Sequence, residues 1–240
     1  TRSRAISRSP AAAVAPRLEA LPSGAAGEVA RLDALRRFLF EEQGFHGDRE
    51  DYYDPANSLL DRVLARRAGI PITLAIVVIE VGRRVGLPLL GVAFPGHFLV
   101  RHALHPHVLL DPFAGRFVTH RGCRDILAAV GDGSIPFHPR LLAPVTGRCI
   151  VHRLLNNLRG IYAARGDVER TLATLDRMLL VAPDNAVHLR ERGLLHLHRG
   201  DLSGALEDLA RYLSIEPEAP DREAVESLLA QGRQRLSVVH

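Results

Sequence analysis

The sequence predicts an α+β domain with a small antiparallel sheet, followed by an all-α helical module. Three observations carry this. Residues 57–86 read as two consecutive helices, and the second, entered through Pro71, is apolar on nearly all sides along TLAIVVIEV. Residues 89–118 hold short apolar runs separated by close turns, the pattern of an antiparallel sheet. Beyond Pro144 a longer period takes over: Gly166-Asp167 recurs as Gly200-Asp201, and Pro183 as Pro217, each 34 positions on.

Composition narrows the class. Of the 240 residues, 47% are apolar and 24% charged, which is ordinary for a soluble chain with enough length for two cores. The formal charge of +4 comes from 31 basic and 27 acidic side chains with no run of Lys or Arg, so nucleic acid is not an expected partner. Arg66-Arg67 and Arg83-Arg84 stand at helix ends, where cations suit the dipole. The two cysteines, Cys123 and Cys149, form no CxxC, which argues against thiol-redox or cysteine-zinc chemistry. The longest apolar run, Leu74 to Ile79, is too short to span a bilayer. The opening TRSRAISRSPAAAVAP lacks the apolar core of a secretory signal, and its start at Thr1 reads as a trimmed chain. The expected location is cytoplasmic, away from membranes.

Taken in order, residues 1–27 form an irregular or short-helix lead-in, with a helix around Leu18 and Leu21 broken by Pro16 and Pro22. Val29, Leu32, Leu35, Leu39 and Phe40 then share a helical face, and Gly44 ends that helix. A polar, aromatic loop follows, punctuated by Asp54-Pro55. Asn57 or Ser58 is placed to cap the next helix, whose buried face is Leu59, Leu60, Val63 and Leu64, with Gly69 as its stop. Pro71 suits the first turn of the following helix, because its missing amide hydrogen has no partner there anyway. That helix runs to Arg84. Glu80 on it needs a partner if buried, with Arg101 or Arg67 as candidates for a structural ion pair. Strands are expected over Leu89–Phe94, His97–Arg101, Val108–Leu110 and Phe117-Val118, then a short helix over Asp125–Val130. A connector over 131–144 is marked by prolines, but Ile135, Phe137, Leu141 and Leu142 make it too apolar for a free linker. The helical module is therefore expected to be fixed against the first domain.

The 34-residue period, with Gly between paired helices and Pro after the second, is the tetratricopeptide signature. Leu155, Leu158, Tyr162 and Leu175 occupy packing positions of the first repeat, and Leu189, Gly193, Ala205 and Leu209 those of the second. Arg192 and His196 depart from the usual apolar or aromatic choices.

Three motifs carry a resemblance: Tyr53-Asp54-Pro55-x-Asn57-Ser58, Gly69-Ile70-Pro71-Ile72 and Phe94-Pro95-Gly96-His97-Phe98. From about Glu28 to Pro220 the chain resembles the SirB-one family, whose members look like transglutaminase-like domains followed by tetratricopeptide helices. The resemblance implies a transglutaminase-like domain over 28–143, of the papain-like superfamily, and a repeat module over 144–240. That superfamily uses a Cys at the start of the central helix, a His as base and an Asp that orients the imidazole. By resemblance, His97 is the histidine and Asp111 the aspartate. The nucleophile position, two residues after Gly69, is Pro71, which has no thiol, hydroxyl or amine. Tyr52, Tyr53, Asp54 and Asn57 are candidates to line the same cleft.

Other groups are weighed as replacements. Thr73 reads as a helix residue bonded to its own backbone. Cys123 lies after the strands, outside the expected place, and remains a cleft candidate. Cys149 reads as packed at the start of the module. His102, His105 and His107 form a local cluster with His97, but loop spacings are weak metal signals, so solvent-exposed histidines, no metal and no cofactor are expected. His97 and Asp111 also have a structural reading, a hydrogen bond tying two strands beneath a vestigial cleft. The expected function is a non-catalytic protein- or peptide-binding module. The alternative is a cysteine-protease-like, amidase or acyltransferase enzyme that uses His97 and Asp111 with an atypical nucleophile.

Overall fold

Helix α4 (Pro71–Arg84) is the element on which the first part of the chain is assembled. The computed structural model describes residues 10–22, 24–130 and 135–239. Residues 1–9 of the lead-in, Ser23, the start of the connector (131–134) and His240 lie outside the described residues. The chain divides into two units, Thr1–Ile150 and Val151–His240.

In the first unit, Pro71 takes the first position of α4 behind an extended Ile70 (φ −94°, ψ 166°), as its chemistry requires. Ile72, Leu74, Ala75, Val77, Val78 and Val81 are buried. The β-branching of Ile72, Val77, Val78 and Val81 costs a few tenths of a kcal/mol each in helix propensity. Burying each contributes about 1.5–3 kcal/mol, so packing decides the conformation. The packing partners are α1 (Pro10–Glu19), α2 (Ala25–Arg36), α3 (Leu60–Arg66), β3 (Leu89–Val92) and β4 (Leu99–His102). Glu80 forms an ion pair, but with neither of the two arginines expected. It pairs with Arg83 one turn on, at 3.0 Å, on the half-exposed side of the helix.

The expected sheet is present. β3, β4, β5 (Leu109–Asp111) and β6 (Arg116–Val118) form a four-stranded antiparallel meander in chain order. The second strand starts at Leu99, so His97 stands in the turn before it. A second, two-stranded sheet was not anticipated: β1 (His46–Gly47) pairs in parallel with β2 (Ala68–Gly69). Helix α5 (His120–Val130) starts five residues earlier than expected and packs Cys123 and Leu127 under the sheet with Val92, Phe94, Leu99 and Leu109. Leu142 belongs to the same cluster, with Phe137 and Leu141 packed against it. The described part of the connector therefore lies on the first unit's own core.

Several local expectations are corrected. Pro16 does not break α1 but lies inside it. Ala11, Val14 and Leu18 are buried along one face, and their burial outweighs the roughly 3 kcal/mol that an interior proline costs. Helix α2 passes without a break into a π-helical turn over Arg37–Glu42. Asn57 and Ser58 do not cap α3; they end a 3-10 turn over Pro55–Ser58 whose cap is Asp54, accepting from Ala56 N at 3.0 Å. Of the four apolar residues expected to be buried on α3, only Val63 is; Leu59 and Leu64 are exposed. Arg67 in the left-handed region (φ 58°), not Gly69, ends that helix.

The second unit holds the remainder of α6 (Gly147–Ala164), then α7 (Val168–Val181), α8 (Ala186–Arg199), α9 (Leu202–Ile215) and α10 (Arg222–Val239). Gly166 and Gly200 both have positive φ (67° and 79°) at the turns between paired helices, which explains glycine at both ends of the period. Asp167 and Asp201 then cap α7 and α9 by accepting from Arg170 N and Gly204 N. Leu175, Leu189, Ala205 and Leu209 are fully buried. The two departures from the repeat pattern are polar substitutions: Arg192 pairs with Asp208 at 2.7 Å and Asp176 at 2.8 Å, and His196 lies 2.8 Å from Asp201. The Asp208 carboxylate is buried, and the Arg192 guanidinium beside it is held more firmly charged than usual.

Candidate functional site

Asp111 ends β5 and points back at the turn that opens β4. Its Oδ1 lies 2.8 Å from His97 Nε2 and accepts from Phe113 N at 2.9 Å and Ala114 N at 3.2 Å. The Asp-Pro-Phe-Ala-Gly hairpin supplies both amides, because the side chain of Asp111 turns the chain that follows it. Burial raises the Asp111 pKa, but the hydrogen bond and charge of His97 and the two amides outweigh it and hold the carboxyl below its usual range. An ionised carboxylate only accepts, so Nε2 carries the imidazole proton and donates it. The turn that carries His97 is set by Gly96, whose φ of 62° and tight approach to Val130 leave no room for a side chain.

His97 and Asp111 open onto a cavity of about 590 Å³ between the β5–β6 hairpin and α5. Phe113 stands edge-on to His97 with ring centres 6.1 Å apart, and Tyr52 stands edge-on to Phe113 at 5.9 Å. The cavity wall includes Arg49, Arg116 and Arg121, with Phe117, Ile126 and Val130 as its apolar side. Arg49 lies over the Phe113 ring at 5.3 Å.

The other residues singled out from sequence are spread around this feature. Tyr52 reaches it through Phe113, and Tyr53 packs on Tyr52 while remaining 72% exposed. Asp54 does not line the cavity; its second oxygen pairs with Arg66 at 2.7 Å. Asn57 is buried, with Nδ2 donating to Asp51 O at 2.7 Å. Thr73 is buried at the start of α4, where its hydroxyl accepts from Ile70 N at 3.1 Å and has Asn57 O at 2.8 Å and Ile70 O at 3.0 Å as acceptors. Cys123 is fully buried in the core, and burial together with the nearby Asp111 charge pushes its thiol pKa up, against the smaller pull of Arg124. Cys149 is exposed rather than packed, with its sulfur 3.3 Å from the Thr146 hydroxyl.

The histidine cluster also differs from the expectation. His102 is fully buried in β4, with Nε2 3.2 Å from Glu28 Oε2 and Nδ1 accepting from Leu104 N. His105 lies tilted against it with ring centres 5.0 Å apart, and His107 stands edge-on to His105. Among the described residues, no group of three His, Cys, Asp or Glu side chains is arranged to hold a metal ion, and no helix is long and apolar enough to cross a membrane.

Comparison with known proteins agrees with this architecture. Residues 8–156 match the transglutaminase-like superfamily and residues 158–230 the tetratricopeptide repeat. A UPF0162 protein of Xylella fastidiosa (strain 9a5c) is 41% identical over 192 residues, covering 78% of this chain and 68% of the relative. A UPF0162 protein of Vibrio cholerae is 29% identical over 202 residues, covering 83% of this chain and 75% of the relative. F-box only protein 21 of Homo sapiens is 28% identical over 182 residues, covering 70% of this chain but 28% of that longer protein. With the described residues of the first unit folded as an α+β domain around a proline-entered helix, and a family match spanning 8–156, the chain belongs to the transglutaminase-like superfamily.

Proposed function

We propose that this protein is a non-catalytic transglutaminase-like protein of the SirB-one group, acting as a protein- or peptide-binding module. The observation that carries the reading is Pro71. It fills the place that the resemblance assigns to the nucleophile, at the first position of α4, and it has no group that attacks a carbonyl. His97 and Asp111 then serve as vestigial members of a triad, holding the β5–β6 hairpin to the turn before β4. Two further facts support the reading. The Thr73 hydroxyl is engaged with backbone at the helix start, and the Cys123 thiol is buried with its pKa raised, the reverse of an activated cysteine. The tetratricopeptide region supports binding, because such repeats present helix faces to partner chains. The short His97–Asp111 contact beside a cavity is the observation that favours the rival reading, an amidase, protease or acyltransferase with an atypical nucleophile.

The test is Pro71→Cys. A thiol at this helix end gains thiolate character from the helix N-terminus. Pro71 is buried, so thiolate character is read from the pH midpoint of iodoacetamide labelling and not from its rate. The expected result is a midpoint below that of exposed Cys149, with little turnover of a mixed peptide and glutamine-substrate panel. Turnover also needs an oxyanion site and a groove shaped for the transition state. Efficient multiple turnover by the variant would mean that only the nucleophile had been lost. A labelling midpoint no lower than that of Cys149 would remove Pro71 from the nucleophile position.

A further inference from the structure

The cavity beside His97 has a charge balance that points to its ligand. Arg49, Arg116 and Arg121 line it, and none of the three guanidiniums is held in an ion pair among the described residues. Elsewhere in the first unit, Arg17, Arg31, Arg36, Arg66 and Arg83 are each paired with a carboxylate. Two carboxylates share the cavity wall. The one of Asp111 is already engaged by His97, Phe113 N and Ala114 N and is almost fully buried. That leaves Asp125 beside three guanidiniums, so among the described residues the cavity wall carries an excess of positive charge. Phe117 and Val130 are exposed beside these arginines although both are apolar. A small apolar wall next to forked cationic donors suits a ligand with carboxylates on an apolar frame.

We propose that this cavity binds an acidic peptide segment. Its carboxylates engage Arg116 and Arg121, with Arg49 on its Phe113 platform at the rim. A neighbouring apolar side chain lies on Phe117, Ile126 and Val130. The proposal rests on the peptide-binding reading above and names the peptide's chemistry. A carboxylate is favoured over a compact inorganic anion because the apolar wall contributes nothing to the latter. The Asp111 charge also keeps the anionic group away from the His97 end.

The test is isothermal titration calorimetry on the full chain at low salt. One probe is acetyl-Glu-Leu-Glu-Phe-amide, and the other is its uncharged isostere acetyl-Gln-Leu-Gln-Phe-amide. The expected result is about tenfold tighter binding of the acidic peptide, as lost charge-assisted contacts at an open site imply. That preference should shrink in 0.5 M salt and vanish in the Arg116→Gln, Arg121→Gln double variant. Both positions are exposed and in no ion pair among the described residues, so the variant should keep the thermal midpoint of the parent, which is measured alongside. Equal binding of the two peptides, binding of neither, or displacement of the acidic peptide by equimolar inorganic phosphate would overturn the proposal. Mass spectrometry of the recovered peptide separates the two readings. A cleaved or modified acidic peptide, still preferred tenfold, supports this assignment and overturns the non-catalytic one.

Discussion

The two units each hold a histidine in a short side-chain contact, with opposite kinds of partner. In the first, His97 donates to Asp111, and the carboxylate is satisfied by two further amides. In the second, His188 Nε2 lies 3.0 Å from His152 Nε2, bridging α8 and α6, and the buried His188 Nδ1 has no hydrogen-bond partner among the described residues. The first pair gains from charge, since ionised Asp111 is what makes the contact strong. The second tolerates one shared proton and is strained by two. Burial, then the neighbouring His152 and Arg159, lower the His188 pKa against the opposing pull of Glu191. The lesson is that the same residue type stabilises through its proton in one unit and resists protonation in the other.

The largest effect expected from breaking this contrast is at Asp111. Asp111→Ala leaves His97 and two hairpin amides without their acceptor and should destabilise the first unit by about 3 kcal/mol, read from urea denaturation. His188→Ala removes a group that is only half satisfied, and its cost should be about 1 kcal/mol. Between these two lies a packing change in the second unit. A Cβ at Gly193 would sit 2.8 Å from Leu209 Cγ, so Gly193→Ala should cost about 1–2 kcal/mol through overpacking of α8 on α9.

The pH dependence sharpens the comparison further. Both shifted groups have folded pKa values below their unfolded ones, so the unfolded state binds the proton first as pH falls. For His188 the loss of stability begins near its ordinary value of 6.5, and for Asp111 near 3.8. Hydrogen exchange followed by mass spectrometry on the intact chain should therefore find protection in α6 and α8 falling between about pH 6.5 and 5. Protection in β4 and β5 should hold until about pH 4. His188→Leu should flatten the first decline and leave the second unchanged.

The smallest effect is on thiol access. Cys149 should react with iodoacetamide in the native protein, while Cys123 should stay protected until urea unfolds the first unit. Early labelling of Cys123 would mean that the α5–sheet core opens locally. The described connector is a further check. Because Phe137, Leu141 and Leu142 lie on the first unit's core, limited proteolysis should not cut residues 135–147 ahead of other sites.

Much of the architecture was legible because it is periodic. The apolar run of α4 declared an enclosed helix, the short alternating runs a meander, and the 34-residue spacing a repeat. The His97–Asp111 pair was legible only through motif resemblance, since no local pattern joins residues 14 apart. What escaped had no period to betray it. The β1–β2 pairing rests on two residues per strand. The exposed Leu59 and Leu64 share an apolar face with Val63, but periodicity marks a face without saying whether anything covers it. His102 was read as a solvated loop residue because its partner, Glu28, is 74 positions away. Arg49, Arg116 and Arg121 were missed for the same reason: they come together only once the hairpin and α5 are folded. The one local signal was the Asp-Pro-Phe-Ala-Gly turn, which marks Asp111 as a side chain bonded to the amides that follow it.

The central claim is that the wild-type first unit has no working nucleophile. The most direct measurement is multiple-turnover hydrolysis and acyl transfer by the wild-type protein on a mixed peptide and glutamine-substrate panel, with His97→Ala as the paired control. The account predicts no turnover above background in either protein. Wild-type turnover that is lost in His97→Ala would contradict it, because a nucleophile other than residue 71 would then be at work beside the histidine.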